Sequence, residues 1–592
     1  MLSRCLSLIV AAAVAVSPAA AQDTPSPAVV EPAPASTVAP TASSSDPVPT
    51  DPDPLTPPTS DTGPARAPGA PAPTQQAKSV TEVDPAVADL RSRLASWPES
   101  QSGALKADLQ ALKDFYAEPD AMRVWTTPNG LAPRGDAVIS ALRRAAAWGL
   151  EADAFTLPTS PQPGALPETL IEAEIHIGLE VLKYARHARG GRLDPTTLSK
   201  MIDMRPRLYE PRSVLEAIAV APEADAYLEG LHPRHKGFHA LKGALASARA
   251  EAAAAPVGQG MPTRVADGAR SSMERRILVN MERWRWLPDD LGAFHVWDNV
   301  PEQVTRVVHD GKAVHEARIV VGKPTTPTPM FSAPMRFVIF HPSWGVPEGI
   351  KANEIGPQLR RAQAGGSSGW FFSENNGASR VLGRHQLRVY SGGREVNPDS
   401  INWASVDVRR FSFTQPPSNR NVLGVVKFRF PNKFDVYMHD TSERHLFSRS
   451  SRTFSHGCMR VENPLKLAEV ILAYDKGWGR ERIAQLVARG TTTDVTLEKP
   501  VPVHIVYFTA TVDQTGKLHT HSDIYGMDSR VASALAGRSV VLSSARSSED
   551  AKPNAPAERK AERRNPPKRE VKSAQKPSAG TPWNPFSPLS AN

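Results

Sequence analysis

The sequence predicts an α+β chain with two folded parts and unfolded ends. An N-terminal α-helical scaffold domain precedes a β-rich, sandwich-like domain that carries an inserted capping subdomain, and a disordered linker and tail flank them. Three observations lead there. Apolar residues recur at three- and four-residue spacing from Asp84 to about Ala250, the period of an amphipathic helix. After Pro288 the pattern changes to alternation with β-branched residues, the period of a strand. Pro, Ala, Ser and Thr dominate 22–80, and Lys, Arg, Pro and Ser dominate 546–592, compositions that bury too little apolar surface to offset the entropy of ordering.

The chain opens with Arg4, an apolar run from Leu6 to Val16 and the small residues Ala19, Ala20 and Ala21. This is the pattern of a secretory signal over 1–21, too short for a retained membrane-spanning helix. No later stretch offers about twenty uncharged apolar residues, so no transmembrane anchor is expected. The Pro/Ala-rich segment 22–80, which has no aromatic residue, is expected to act as an extended tether.

Helices of the scaffold, 81–250, follow from Leu105, Leu109 and Leu112, from Val138, Leu142 and Ala145, and from Ile171, Ile175, Leu179 and Leu182. Breaks fall at Pro119, at Pro128-Asn129-Gly130, between Pro158 and Pro167, and at Gly190-Gly191. His176 and His187 lie within helical pattern and are expected to pack rather than ligate. Small and polar residues over 251–272 predict a linker. Ile277, Leu278, Met281, Trp284 and Leu287 then lie at helical spacing and predict an amphipathic helix docked on the next domain.

The second domain, 273–545, begins its strands at Phe294–Val300, Val304–Val308 and Ala317–Val321, with a turn at Asp310-Gly311. Met335–Phe340 is a further strand. The Gly-, Ser- and Asn-rich stretch 351–421 is too long for a loop in a compact sheet and predicts an inserted lid. Strands resume at Val422–Phe430 and Phe434–Met438, helices follow at Pro464–Tyr474 and Arg480–Ala488, and Val501–Thr511 is the last strand. The tail 546–592 holds ten basic against five acidic residues, +5 of the formal net charge of +9. With an export signal and no basic patch interleaved with aromatics, nucleic acid is excluded as a partner. The tail is expected either to meet anionic envelope polymer or lipid headgroups or to be a solvated tail with no partner.

The chemistry is concentrated between His439 and Arg460. Of the two cysteines, Cys5 leaves with the signal, so Cys458 is a lone thiol in an exported protein, either buried and inert or free and reactive. A thiol attacks a carbonyl as thiolate and needs a base and oxyanion donors. His439 ends an apolar strand and can aim an imidazole. Gly457 permits a tight turn exposing the nucleophile, and amides near Gly457 and Cys458 could hold an oxyanion. Pro464 suits a helix start whose N-terminus favours thiolate. A zinc site of His439, His445, His456 and Cys458 is the competing chemistry. The single residue between His456 and Cys458 is not a usual structural-zinc spacing. A wall-binding protein with a vestigial thiol is the third reading.

His439, a spacer and then Ser455-His456-Gly457-Cys458 resembles the catalytic signature of the L,D-transpeptidase family. The likeness extends through 280–288 (NMERWRWLP), Gln415-Pro416-Pro417, Leu423-Gly424, Lys427-Phe428, Phe430-Pro431-Asn432, Tyr507-Phe508-Thr509 and Asp523-Ile524-Tyr525-Gly526, and resembles the larger murein members with a helical scaffold. It implies Cys458 as nucleophile, His439 as base oriented through the carbonyl of Asp440, Ser455 and Gly457 as shaping residues, His456 as the motif histidine and Arg460 in a position where Asn or Arg is usual. It also implies a peptidoglycan stem peptide as substrate, released D-alanine, a 3-3 crosslink, sensitivity to carbapenems, a periplasmic location in a Gram-negative envelope, and neither cofactor nor metal. Hydrolysis, or attachment of an outer-membrane protein, uses the same thioester. Tyr437 and Trp344 either line the cleft as substrate-binding residues or, the commoner role, pack as core aromatics, and Lys427, Arg429 and Arg460 either face the acidic stem or lie on a solvated strand face. His341 stands where many members have Asn, and 246–273 leaves no room for the small peptidoglycan-binding domain often found there.

Overall fold

The computed structural model describes residues 64–70, 85–98, 103–159, 161, 163–254, 263–364 and 377–538. All belong to one compact unit, Pro52–Asn592. The expected signal 1–21 and basic tail 546–592 lie outside the described residues, as does most of the segment 22–80. Residues 64–70 of that segment do not behave as a tether. Ala65 forms a parallel bridge with Tyr209, its N–H donating to the Leu208 carbonyl at 2.7 Å, and Ala67 is buried with its N–H on Ser213 Oγ at 2.7 Å. Composition hid this, because a few small residues suffice to dock when a partner supplies the hydrogen bonds.

The scaffold comprises α1 (Pro85–Ala95), α2 (Gly103–Tyr116), α3 (Pro133–Arg143), α4 (Pro167–Gly190), α5 (Pro211–Val220) and α6 (Ala224–Glu229). Pro opens α3, α4 and α5, where its missing N–H costs nothing. Leu109, Leu112, Val138, Leu142, Ile171, Ile175 and Leu182 form one core, each fully buried side chain stabilising by roughly 1.5–3 kcal/mol. Leu105, counted in the same stripe, is 39 % exposed. Inside this core Glu174 accepts from the Tyr116 hydroxyl at 2.6 Å, from Trp125 N–H at 3.1 Å and from Thr126 Oγ1 at 2.8 Å. The otherwise costly carboxyl thus pins the irregular segment after α2 to α4.

Within the expected linker 251–272, the described residues 251–254 and 263–272 are helical. Helix α7 (Lys236–Ala254) runs into it and α8 (Thr263–Trp284) begins inside it, the two packing together. The Ala-rich composition read as linker is also the composition of best helix propensity, and packing selected the helix. Ile277 and Met281 of α8 are fully buried.

Nine strands of the second domain join its main sheet, eight in one path and Thr453–Ser455 paired in parallel beside Val321-Gly322; the eight are β1 (Phe294–Asn299), β2 (Val304–His309), β3 (Lys312–Gly322), β4 (Met330–Phe340), β5 (Val426–Arg429), β6 (Met438–His439), β7 (Met459–Val461) and β8 (Thr493–Val506). Their order is β5-β6-β7-β3-β2-β1-β8-β4, and β4 also pairs with β5, Val426 opposite Phe340, so the sheet closes into a ring. The α+β class expected, with a β-rich second domain, is the one observed. Strands β5 and β6 are shorter than the apolar runs predicted, since Asp435 and Gly424 adopt positive φ at their boundaries. Inward residues such as Val296, Ile319, Val338, Phe428, Met438, Met459 and Ile505 fill the interior. The scaffold adds to the sheet itself, with Ile202-Asp203 pairing in parallel to Met330-Phe331, an association no local pattern indicates.

The insert between β4 and β5 is a separate small unit. Trp344-Gly345, Arg388–Ser391, Arg394-Glu395 and Ser412–Gln415 make an antiparallel sheet, with α9 (Gly356–Ala364) and α10 (Ala378–Arg384) beside it. It therefore starts before the expected boundary at 351. Its core unites Trp344, Leu359, Leu382, Val389, Trp403 and Phe413 with Tyr437. Asn421 Nδ2 donates to the Pro342 carbonyl at 3.0 Å and to that of Pro416 at 3.0 Å, clasping the two ends together. His341 lies at the junction where the chain leaves β4 for the insert. It takes φ +47° and its Nε2 lies 2.7 Å from the Val487 carbonyl.

Outside the ring, α11 (Pro464–Lys476) buries Leu467, Ala468, Ile471 and Leu472, and α12 (Arg480–Ala488) buries Ile483 and Leu486. The last predicted strand ends earlier than expected, at Val506. Ala510–Val512 and Leu518–Thr520 form a separate hairpin around Gln514–Gly516.

Candidate active site

Strands β5, β6 and β7 lie side by side, and their register assembles the site. His439 stands opposite Lys427 on one side and, in parallel pairing, opposite Arg460 on the other. Phe428, Met438 and Met459 point into the ring, so alternation sends Lys427, Tyr437, His439 and Arg460 to the outer face. Cys458 immediately precedes Met459 and packs against both the ring's core and the cap's core, as a free, half-buried thiol.

His439 is held by its neighbour. Its Nδ1 lies 2.5 Å from the Asp440 carbonyl oxygen. A carbonyl only accepts, so Nδ1 carries the proton and Nε2 keeps a lone pair. Burial pushes the imidazole pKa down to about 3, with Arg460 adding to the effect. Asp440 itself is fixed by its N–H on the Val426 carbonyl at 2.9 Å and by Val425 N–H on its Oδ2 at 3.0 Å.

Burial pushes the Cys458 thiol up to about 11, while hydrogen bonds from the backbone and hydroxyl of Tyr437 pull it down. The resting pair is therefore a neutral thiol and a neutral imidazole. Tyr437 and Trp344 share the cap's core, against which Cys458 packs. Tyr437 and Trp344 are both nearly fully buried, at 7 % and 5 % exposure. That burial, in a core against which Cys458 also packs, is the packing role of the two expected for these aromatics. Lys427 Nζ sits 4.1 Å from the Tyr437 ring centroid.

The turn before the thiol closes on itself. Ser455 Oγ accepts from Gly457 N–H at 3.1 Å and donates to the Cys458 carbonyl at 2.6 Å. Thr328 Oγ1 donates to the Gly457 carbonyl at 2.8 Å, and Gly457 adopts φ +118°, a conformation side-chain-bearing residues avoid. The Gly457 N–H is thus taken, which removes it as an oxyanion donor and leaves the Cys458 N–H. His456 turns away from the thiol, its Nε2 2.7 Å from Glu354 Oε1 of the cap.

Arg460 is 3 % exposed and paired with Glu443 at 2.5 Å, and Arg429 lies 5.8 Å from the Phe337 ring centroid. Arg460 is thus committed to Glu443, while Arg429 stays partly exposed on β5. Among the described residues no three His, Cys, Asp or Glu side chains are grouped to hold a metal, so His439, His445, His456 and Cys458 do not form such a set.

Sequence reasoning placed Cys458, His439, Ser455, His456, Gly457, Asp440 and Tyr437 near one another, and they are. It missed Thr328 and Glu354, which lie more than a hundred residues upstream of the motif and carry no local signal.

Residues 293–504 match the family model described as the L,D-transpeptidase catalytic domain, and residues 110–245 match that of the Scaffold domain. A protein of Haemophilus influenzae, provisionally named an L,D-transpeptidase, is 28 % identical over 276 residues, 46 % of this chain and 52 % of its own length. The chain thus spans about half the length of that relative. Two solved structures are similar at 13 % identity and a TM-score of 0.15: the Ldtfm–avibactam carbamoyl enzyme and a Cys-to-Ser mutant of an Enterococcus faecium L,D-transpeptidase. They cover 40 % of this chain and 62 % and 64 % of their own chains, and a likeness at that score carries no weight for fold or function.

Proposed function

With an L,D-transpeptidase catalytic domain behind a scaffold domain, we propose that this protein is a periplasmic peptidoglycan L,D-transpeptidase whose nucleophile is Cys458 and whose base is His439. The observation that carries the reading is the pairing of β6 with β7, which sets a half-buried thiol at the start of one strand and, on the other, an imidazole whose Nε2 is free of its proton.

In this reading a tetrapeptide stem enters beneath the cap. His439 Nε2 takes the thiol proton as the sulfur attacks the carbonyl of the third stem residue. The oxyanion that forms meets the Cys458 N–H. Collapse breaks the C–N bond, the imidazolium returns its proton to the leaving amine, and D-alanine departs. The side-chain amine of a second stem then attacks the thioester, giving up a proton to His439, and expulsion of the sulfur regenerates the thiol and leaves a 3-3 crosslink. The Asp440 carbonyl holds the ring throughout, and Tyr437 donates to sulfur when it bears charge. Burial disfavours an ion pair at rest, so charge develops only during attack.

Intact mass measurement of the protein with a stem-peptide or carbapenem donor should show an acyl adduct that Cys458→Ala lacks and that forms about a hundred times more slowly in His439→Ala. Full acylation of either variant would sink the assignment. Mass spectrometry of muropeptides from a sacculus incubated with the protein should show 3-3 crosslinks. Shortened stems alone would make water the acceptor.

A further inference from the structure

A Glu354–His456 hydrogen bond joins the cap to the catalytic turn. Glu354 lies in a π-helical turn, Lys351–Ile355, that continues into α9, an arrangement rare enough in proteins to be associated with function. This turn is tied into the cap: Lys351 Nζ donates to the Phe411 carbonyl at 3.1 Å, and Ile355 is buried in the cap's core. From it, Glu354 Oε1 meets His456 Nε2 at 2.7 Å, and its other oxygen is buried with no hydrogen-bond partner. A carboxylate only accepts, so His456 donates through Nε2. His456 is two residues before the thiol, within the turn that Ser455 and Thr328 hold.

We propose that Glu354 is a positioning residue that latches the cap over Cys458 and, through His456, fixes the turn that presents the thiol. The inference rests on the reading of Cys458 as the acylated group. A carboxylate placed for packing alone would not leave one oxygen buried and unsatisfied, a cost that a required contact offsets. A latch also accounts for the cap being anchored at the motif histidine, which the base does not otherwise use.

The test uses the full chain with Glu354→Ala, Glu354→Gln and Glu354→Asp. Alkylation of Cys458 by iodoacetamide reports access to the thiol, and acylation by a stem-peptide donor reports its presentation. Loss of the latch in the Ala variant should speed alkylation about fivefold and slow acylation about tenfold. Gln keeps an acceptor for His456 Nε2–H and should stay within about twofold of the parent in both. Asp keeps the charge but not the reach, so it should follow Ala and decides the matter if Ala fails to fold. A fall in melting temperature with both rates unchanged would make the pair merely structural and overturn the proposal, as would equal alkylation in all forms. If the parent protein is alkylated but never acylated, the function fails and the alkylation ratio alone decides the latch.

Discussion

The ring of His439 is oriented by the backbone of the very next residue, Nδ1 lying 2.5 Å from the carbonyl oxygen of Asp440. A base held by a backbone carbonyl gains a fixed tautomer without a neighbouring carboxylate charge, so nothing nearby raises its pKa enough to counter burial. That leaves the imidazole neutral and ready to accept over most of the pH range.

The pH dependence follows from two values. His439 must be neutral to take the thiol proton, and its pKa of about 3 puts the acid limb of single-turnover acylation near pH 3, not near the ordinary 6.5. Rates between pH 4.5 and 6.5 should stay within about twofold. Alkylation by iodoacetamide needs thiolate, so it should rise about tenfold per pH unit toward the thiol value of about 11. A plateau in alkylation below pH 9, the mark of a preformed imidazolium–thiolate pair, would contradict this picture.

Gly424 tests the support under His439. It sits at φ +62°, and a Cβ there would lie 2.3 Å from Asp440 Oδ2. Gly424→Ala must displace Asp440 and the carbonyl that orients the base, so acylation should fall about tenfold or more. Gly516→Ala, at φ +84° with nothing within 4 Å of the added carbon, is the control. It should cost about 1 kcal/mol in stability and leave acylation unchanged. Equal kinetics in the two variants would argue that Asp440 does not govern the ring.

Asp298 tests the interior of the ring. It is fully buried on β1 with neither oxygen in hydrogen-bond geometry, and burial raises its pKa from 3.8 to about 7. A carboxyl with a raised folded-state pKa costs nothing below its unfolded value and progressively destabilises as pH climbs to the folded value. Asp298→Asn should therefore be near neutral at pH 4 and stabilise by on the order of 4 kcal/mol at pH 8, read as a rise in melting temperature. A gain independent of pH would show that Asp298 is not the titrating group.

The chemistry was written locally and so was legible in the chain. Ser455-His456-Gly457-Cys458 is contiguous, His439 is close by, and Gly457 announces the φ of +118° that its turn adopts. Helix and strand periods likewise gave the α+β order, the insert and the elements that carry the motif. Composition misled where one residue type serves two states: the Ala-rich stretch near Ala250 joined α7, and Ala65 and Ala67 docked on the scaffold.

What the sequence determined by itself was which groups react and on which elements they ride, because period, turn chemistry and motif spacing are properties of neighbouring residues. Tertiary structure alone decided the rest. Closure of the ring through β4 and β5, the strand Ile202-Asp203 lent by the scaffold, the packing of Trp344 and Tyr437 with Cys458 and the Glu354–His456 pair all join residues far apart in sequence. The neutral state of thiol and imidazole belongs to the same class, since it follows from burial, and burial exists only once distant segments have packed together.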